Sequence, residues 1–290
     1  MDLFGEEKKW SINQIINLVK NNSVFLESNK NPQTEIEIFL CYILKCTRGE
    51  LYLNYQNLLN NIQLDILKNY IERRNKNEPI QYIIQSSNFY GRDFFVNPDV
   101  LIPRQETEIL IDIALEKAKQ FESPKILDIG TGSGCISITL ALEIPQSKVY
   151  GSDISKKAIK VAQKNIENLF VKNLQLIKED VFLKVSQNSL DILISNPPYV
   201  KLEEHIVLMP DVLDFEPKIA LTDNLDGLSF YKRIAEIGKS HLNKNGWIIL
   251  EVGRGKHPQD AKGVFDKHDY KNVKLFKDYN KDQRVLVAQY

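Results

Sequence analysis

The sequence predicts an α/β protein: a seven-stranded, doubly wound, mainly parallel sheet, preceded by a small all-helical segment and a β-hairpin linker. Three observations predict it. From Pro124 onward, short apolar runs alternate with helical stretches, the pattern of a parallel sheet covered on both faces. Before Gln85 the apolar spacing is helical only. Between the two, aromatic and β-branched residues gather around Gly91 and Asn97-Pro98, which reads as a hairpin. The expected boundaries are 1–85, 86–108 and 109–290.

In the first segment Ser11 and Gln14 have the spacing of a capping box, with Trp10 and Ile15 at the staple positions. Ile12, Ile15, Ile16 and Val19 then form one stripe. A second helix is expected from Asn31 as cap and Pro32 as first residue, carrying Ile36, Phe39, Leu40, Ile43 and Leu44 inward and stopping before Gly49. Leu64 to Arg74 repeats the amphipathic pattern. Acidic and basic residues number ten each here, and both a docking bundle and a stabilising cap fit that balance. After the hairpin, Leu101-Ile102-Pro103-Arg104-Gln105-Glu106-Thr107-Glu108 leads into a helix from Ile109 to Lys119. Glu106 and Glu108 suit the positive end of its dipole, and Arg104 is placed to pair with one of them.

Strands are then expected at 125–129, 149–152, 174–177, 190–194, 247–252, 273–276 and 284–288. Helices are expected at 136–143, 155–169, 227–242 and 257–267. The stretch from Val200 to Asp226 is longer than ordinary connections, and loops of that length act as lids or binding loops.

Composition narrows the class. Lys plus Arg and Asp plus Glu both total 38 in 290 residues, so no global positive field gathers nucleic acid. Nine basic against five acidic residues from Arg254 to Tyr290 form a local surplus that a solvated face explains. Apolar runs are too short to span a bilayer, and Met1 to Lys9 lacks a secretory apolar core. Cys41, Cys46 and Cys135 are odd in number and lack metal-ligand spacing, which fits a cytoplasmic protein without a metal.

The chemistry concentrates at strand ends. Asp128-Ile129-Gly130-Thr131-Gly132-Ser133-Gly134 joins the first parallel strand to its helix. Alternate glycines let the chain bend sharply and let a ligand touch the main chain, while the helix start offers free N–H groups to an anion. The dinucleotide fingerprint is not met, because the third glycine comes one position early, and no Gly-Lys-Ser/Thr follows. Asp153 ends the next strand, about 20 residues on, where a carboxylate takes ribose hydroxyls. Asp180 ends the third. Each Asp alone also reads as a cap or turn former, but three at consecutive strand ends beside a glycine loop point to a nucleoside with an amino acid tail. Asn196-Pro197-Pro198-Tyr199 follows the apolar run 190–194. Two prolines force a stiff, extended exit from the strand that aims Asn196, an amide donor and acceptor, and Tyr199, an aromatic face.

Together the glycine loop, Asp153, Asp180 and Asn196-Pro197-Pro198-Tyr199 resemble the class I S-adenosylmethionine-dependent methyltransferases, in the subset that methylates a planar amide or amino nitrogen. Further stretches are similar to the bacterial peptide chain release factor glutamine methyltransferases. These are Glu78-Pro79-Ile80-Gln81-Tyr82-Ile83, the segment 101–108, Asp211-Val212 with Phe215-Glu216-Pro217, and Asp278-Tyr279 with Arg284-Val285. The match runs from Glu78 to Tyr290.

That resemblance implies the class I methyltransferase sheet, S-adenosylmethionine as cofactor with no metal, and release factors as protein substrates of a monomer that binds neither membrane nor nucleic acid stably. Residues 1–85 would dock the substrate and 109–290 bind the cofactor. Asp128, Gly130, Thr131, Gly132, Ser133 and Gly134 would hold the methionine end, Asp153 the ribose, and Asp180 with Val181 the adenine, and Asn196 would also belong to the cofactor-binding set. Val181 stands where relatives often carry an aromatic residue, with Phe182 an imperfect substitute. Asn196 through its side-chain oxygen and Pro197 through its carbonyl would accept hydrogen bonds from the glutamine NH₂. Pro198 and Tyr199 would line the same site, Tyr199 packing on the flat amide. A rival reading is an exocyclic-amine methyltransferase acting on DNA or RNA, because adenine presents a similar NH₂. A cofactor-binding scaffold and a dehydrogenase are weaker rivals.

Overall fold

The computed structural model describes residues 9–21, 31–180, 189–205 and 209–290. Val181 and Phe182 lie outside the described residues. The chain divides into two compact units, Met1–Gln85 and Ser86–Tyr290.

In the first unit the helix starts follow local side-chain chemistry. Helix α1 (Ile12–Lys20) opens with the capping box, Ser11 accepting from the Gln14 N–H while the Gln14 side chain accepts from the Ser11 N–H. Helix α2 (Pro32–Leu44) is capped by Asn31 and ends at Lys45, which adopts φ +52°, before Gly49 as expected. Gly49 lies inside α3 (Arg48–Leu53), a helix that the spacing did not reveal because it is six residues long and starts from a second capping box, Thr47 with Glu50. A third box, Asn60 with Gln63, starts α4 (Asn61–Arg74) three residues before its apolar stripe begins. Each such cap stabilises its helix by about 1 kcal/mol. After Pro79 comes α5 (Ile80–Ile84). Ile12, Ile15, Ile16, Ile36, Phe39, Leu40, Leu67 and Ile71 meet in one apolar core.

The second unit begins with the hairpin of β1 (Ser86–Phe89) and β2 (Arg92–Phe95), closed by Tyr90 at φ +50° and Gly91 at φ +72°. Two positive φ values in a two-residue turn match the twist of the flanking strands. Phe89 and Phe94 point into the core. A 3₁₀ turn, Gln105–Thr107, leads into α6 (Glu108–Ala118). Then follow β3 (Lys125–Ile129), α7 (Cys135–Glu143), β4 (Lys148–Asp153), α8 (Lys156–Asn168), β5 (Leu174–Lys178) and β6 (Leu190–Ser195). The long connection after β6 holds three short helices, α9 (Leu202–His205), α10 (Pro210–Phe215) and α11 (Lys218–Leu221). The chain closes with α12 (Ser229–His241), β7 (Leu242–Glu251), α13 (His257–Lys267), β8 (Lys271–Lys277) and β9 (Gln283–Gln289).

The seven strands run in the order β5-β4-β3-β6-β7-β9-β8, parallel from β5 to β7, with β9 antiparallel to both β7 and β8. This is the doubly wound, mainly parallel sheet expected from the alternation. Period-two side chains split its core in two: Ile126, Ile192, Ile194 and Ile249 face α6 and α7, while Leu127, Leu193, Ile248 and Leu250 face α12 and α13. All six residues of β6 are buried, as a central strand covered on both faces requires. Strand order reverses between β3 and β6, and ligands of such sheets bind at the carboxyl ends flanking that switch point.

Candidate active site

A cleft of about 1100 Å³, counting its open mouth, lies at that switch point. Gly130, Thr131, Gly132 and Ser133 from the loop after β3, Asp153 after β4, Asp180 after β5 and Asn196, Pro197 and Pro198 after β6 all line it. Val100, Leu101 and Pro103 form an apolar wall.

The loop is held from below. Thr131 donates its N–H to Ser152 O at 2.8 Å, and Gly134, at φ +82°, donates to Thr131 O at 2.7 Å as it caps α7. A Cβ on Gly134 would stand 2.8 Å from Ile138 Cδ1, so the last glycine of the loop serves both its left-handed turn and the packing beneath it. Asp128 does not line the cleft. It is wholly buried under the loop, where one oxygen accepts from Thr131 Oγ1 at 2.6 Å and from the Ser137 N–H at 3.2 Å. Its other oxygen, Oδ1, has no partner. Burial pushes this carboxyl up to about 7, against the pull of those hydrogen bonds. An anionic oxygen without a partner in so dry a place is relieved by a cation.

Asp153 is spoken for as well. Its two oxygens accept from the Gly132 N–H at 3.0 Å and the Ser155 N–H at 2.8 Å, which fixes the mouth of the loop, and each keeps a lone pair for a hydroxyl in the cleft. Burial raises its pKa, and the two N–H groups oppose the shift. Asp180 pairs with Arg233 of α12 at 2.9 Å, both side chains remaining part-exposed. Phe230, one turn earlier on α12, supplies an aromatic side chain to the cleft lining. Sequence reasoning missed it because its helical spacing reads only as core.

Asn196 donates from Nδ2 to Thr107 Oγ1 at 3.4 Å, and Thr107 donates to Glu251 Oε2 at 2.6 Å. Tyr199 turns its hydroxyl to Glu251 Oε1 at 3.3 Å. Its ring lines a second, charged cleft with Arg104, Glu106, Arg254 and Lys256. Burial first, then the neighbouring Glu251, raise the Tyr199 pKa, so its hydroxyl stays protonated. Arg104 pairs with neither Glu106 nor Glu108. It forms an ion pair with Glu216 of the Phe215-Glu216-Pro217 segment, and Glu216 also accepts from the Ile102 N–H. Glu108 instead accepts from the Tyr90 N–H at 2.8 Å and so fastens the hairpin turn. None of Phe89, Tyr90, Phe94 and Phe95 lines the cleft at the switch point.

The segment after the tetrapeptide folds back on itself. Val200 donates its N–H to Leu221 O at 2.9 Å and Leu202 donates to Leu225 O at 3.2 Å. Asp223 accepts from the N–H groups of Leu225, Gly227 and Ser229 and so starts α12.

Residues 17–84 match the family model described as PrmC N-terminal domain, and residues 105–211 match the methyltransferase small domain. A release factor glutamine methyltransferase from Fusobacterium nucleatum is 34% identical over 288 residues, covering 99% of this chain and 80% of that protein. The chain belongs to the release factor glutamine methyltransferase family. It also spans about half (51%) of a bifunctional methyltransferase from Rickettsia bellii, to which it is 36% identical over 283 residues covering 88% of this chain. A methyltransferase structure from Pyrococcus furiosus superposes with a TM-score of 0.51 at 20% identity, covering 80% of this chain and 98% of that one, and so shares the fold. Within the family's framework, the tertiary structure adds Glu251 and Phe230 to the residues legible in the sequence, and it supplies the partners of Thr107 and Glu216.

Proposed function

We propose that this enzyme methylates the side-chain amide nitrogen of the glutamine in the Gly-Gly-Gln loop of peptide chain release factors, with S-adenosylmethionine as methyl donor. One observation carries the reading: Asn196 and Pro197, just after β6, line the same cleft as the glycine loop after the neighbouring strand β3. The residues present fit the cofactor. A glycine loop at a helix start suits its carboxylate, and Asp153, which lines the cleft with lone pairs to spare, suits its ribose hydroxyls; Asp128 acts from beneath by holding the loop through Thr131. Asp180 serves the adenine, with Phe230 as an aromatic face in the cleft lining. When bound, the cofactor supplies a methyl group on a sulfonium. The chain's own part is positioning. An amide nitrogen is a poor nucleophile because its lone pair is delocalised into the carbonyl. Asn196 Oδ1 and the Pro197 carbonyl accept hydrogen bonds from its NH₂ group, which raises electron density on nitrogen and turns it toward the cleft. Tyr199 packs on the amide plane, and the 200–226 segment excludes water.

Purified enzyme with labelled S-adenosylmethionine is expected to label a release factor as N-methylglutamine, and Gln→Ala in the Gly-Gly-Gln loop of that factor to abolish the label. Labelling that persists in the mutant factor, or that prefers DNA, sinks the assignment. We further propose that the helical unit docks the body of the factor. Ile62 and Ile66, one turn apart on α4, are 72% and 38% exposed, and Leu53 is 87% exposed. Ile62→Asp is expected to raise KM for the whole factor roughly fivefold to tenfold, the range of an interface residue that contributes over 1 kcal/mol. Turnover of a loop peptide should not change, and an unaltered KM for the whole factor removes the docking role.

A further inference from the structure

The proposed reaction needs the Asn196 amide turned with Oδ1 toward the substrate, and something must hold it that way round. The surrounding hydrogen bonds do. An ionised carboxylate only accepts, so the 2.6 Å contact between Thr107 Oγ1 and Glu251 Oε2 is made by the Thr107 proton. With its proton committed, Thr107 Oγ1 has only lone pairs to offer Asn196, which therefore turns its NH₂ toward Thr107 and leaves Oδ1 for the cleft. We infer that Glu251 is a positioning residue, which through Thr107 fixes Asn196 as an acceptor and through the Tyr199 hydroxyl also ties down the end of the same tetrapeptide. The inference rests on the reading of Asn196 as the amide acceptor.

Glu251 ends β7 and is 2% exposed. The groups facing its carboxylate are Thr107 and Glu106 from the 3₁₀ turn, Tyr199 after β6, Arg284 from β9 and the Cys135 thiol at the start of α7. Tyr231 of α12 donates to the Glu251 backbone carbonyl at 2.5 Å and anchors the strand end. Arg284 is itself paired with Asp278 at 3.2 Å and is buried, so its charge is shared. Burial pushes Glu251 up to about 7, with Thr107, Arg284 and Tyr199 pulling it down and Glu106 pushing it further up. Protonated, the carboxyl becomes a donor to Thr107, which frees the Thr107 proton for Asn196 Oδ1. The Asn196 amide then presents its NH₂ to the cleft, where the substrate NH₂ meets a donor instead of an acceptor. The ionised form is the productive one, so kcat falls as pH drops through the Glu251 pKa.

The test is the pH profile of kcat in single-turnover methylation of a release factor, with calorimetric affinity for S-adenosylhomocysteine measured alongside. Wild-type enzyme is expected to show an acid limb centred near pH 7. Glu251→Gln, whose amide either accepts from or donates to Thr107, is expected to lose the limb and to lower kcat at pH 8 by roughly 10- to 100-fold, the scale on which outer hydrogen-bond partners act, with product affinity unchanged. Thr107→Val should behave the same way, and Thr107→Ser, which keeps the hydroxyl, should retain both rate and limb. An undiminished kcat in Glu251→Gln, or an acid limb that survives in Glu251→Gln or Thr107→Val, overturns the inference. If Glu251→Gln does not bind S-adenosylhomocysteine, the Thr107 pair decides by the same criteria. Asn196→Ala separates the two layers. Full turnover in that variant removes the acceptor reading itself, whereas loss there with none in Thr107→Val removes only the positioning role.

Discussion

Asn196→Ala is expected to lower kcat by about 10²- to 10³-fold, the range seen when one preorganised hydrogen-bond partner of a developing charge is deleted, while affinity for S-adenosylhomocysteine changes little. The reasoning is geometric. Asn196 sits at the end of a strand whose six residues are all buried, and the following proline adds no N–H through which the chain could re-pair. Among the described residues its side chain makes one hydrogen bond, to Thr107, so truncation removes an aimed acceptor and leaves little else unsatisfied. In the proposed site the cofactor is held chiefly by the β3–α7 loop and Asp153, whose own hydrogen bonds do not involve Asn196. Equal loss of turnover and of product binding would mean that the side chain maintains the cleft and does not act on the amide.

Gly227→Ala is expected to be nearly as damaging, by a different route. Gly227 has φ +77°, and a Cβ there would stand 2.4 Å from the Tyr199 carbonyl oxygen, a backbone atom that no rotamer change can move. The left-handed conformation alone costs an L residue about 1–2 kcal/mol, and the overlap must be relieved by shifting either the start of α12 or the tetrapeptide. Asp223 binds the Gly227 and Ser229 N–H groups, and His257 bonds the Gly227 carbonyl at 2.9 Å, so the α12 side is held at three points. The tetrapeptide is expected to yield. A displacement of about 1 Å at a positioning group costs roughly 10²-fold in rate. We expect that loss in kcat, a lowered melting temperature, and a product affinity close to wild type. Wild-type turnover in Gly227→Ala would show that the Tyr199 backbone has slack at this contact.

The β3–α7 loop shows how far local sequence reaches. Its glycines, its acidic start and the strand before it are all within one short stretch, and their consequence, a bend under a helix start, depends on backbone chemistry alone. Asp128 marks the limit. Its place in the motif suggests direct contact with ligand, yet the structure buries it beneath the loop on Thr131 and Ser137, because the direction of a strand-end side chain depends on what covers that end. In the helical unit the capping boxes at Ser11, Thr47 and Asn60 are equally local. The box at Thr47 starts a helix too short to show an apolar stripe, and Gly49 lies within it.

Arg104 and Thr107 show the opposite case. Both stand in a motif legible in the sequence, but their partners are 112 and 144 positions away, at Glu216 and Glu251. Breaking the first pair from the Arg104 side strands a carboxylate that is almost fully buried, so the two motifs are coupled energetically although nothing in their spacing says so. By itself, then, the sequence determined the strand and helix alternation, the glycine loop, the acidic strand ends and the rigid exit at Asn196, because each follows from periodicity or from the stereochemistry of a few adjacent residues. Only the tertiary structure decided which carboxylate meets which donor, that Glu251 stands behind Thr107 and Asn196, and that Phe230 reaches the cleft. Those pairings arise where the ends of separate strands and helices converge, and the burial that gives them their strength exists only once the sheet has closed around them.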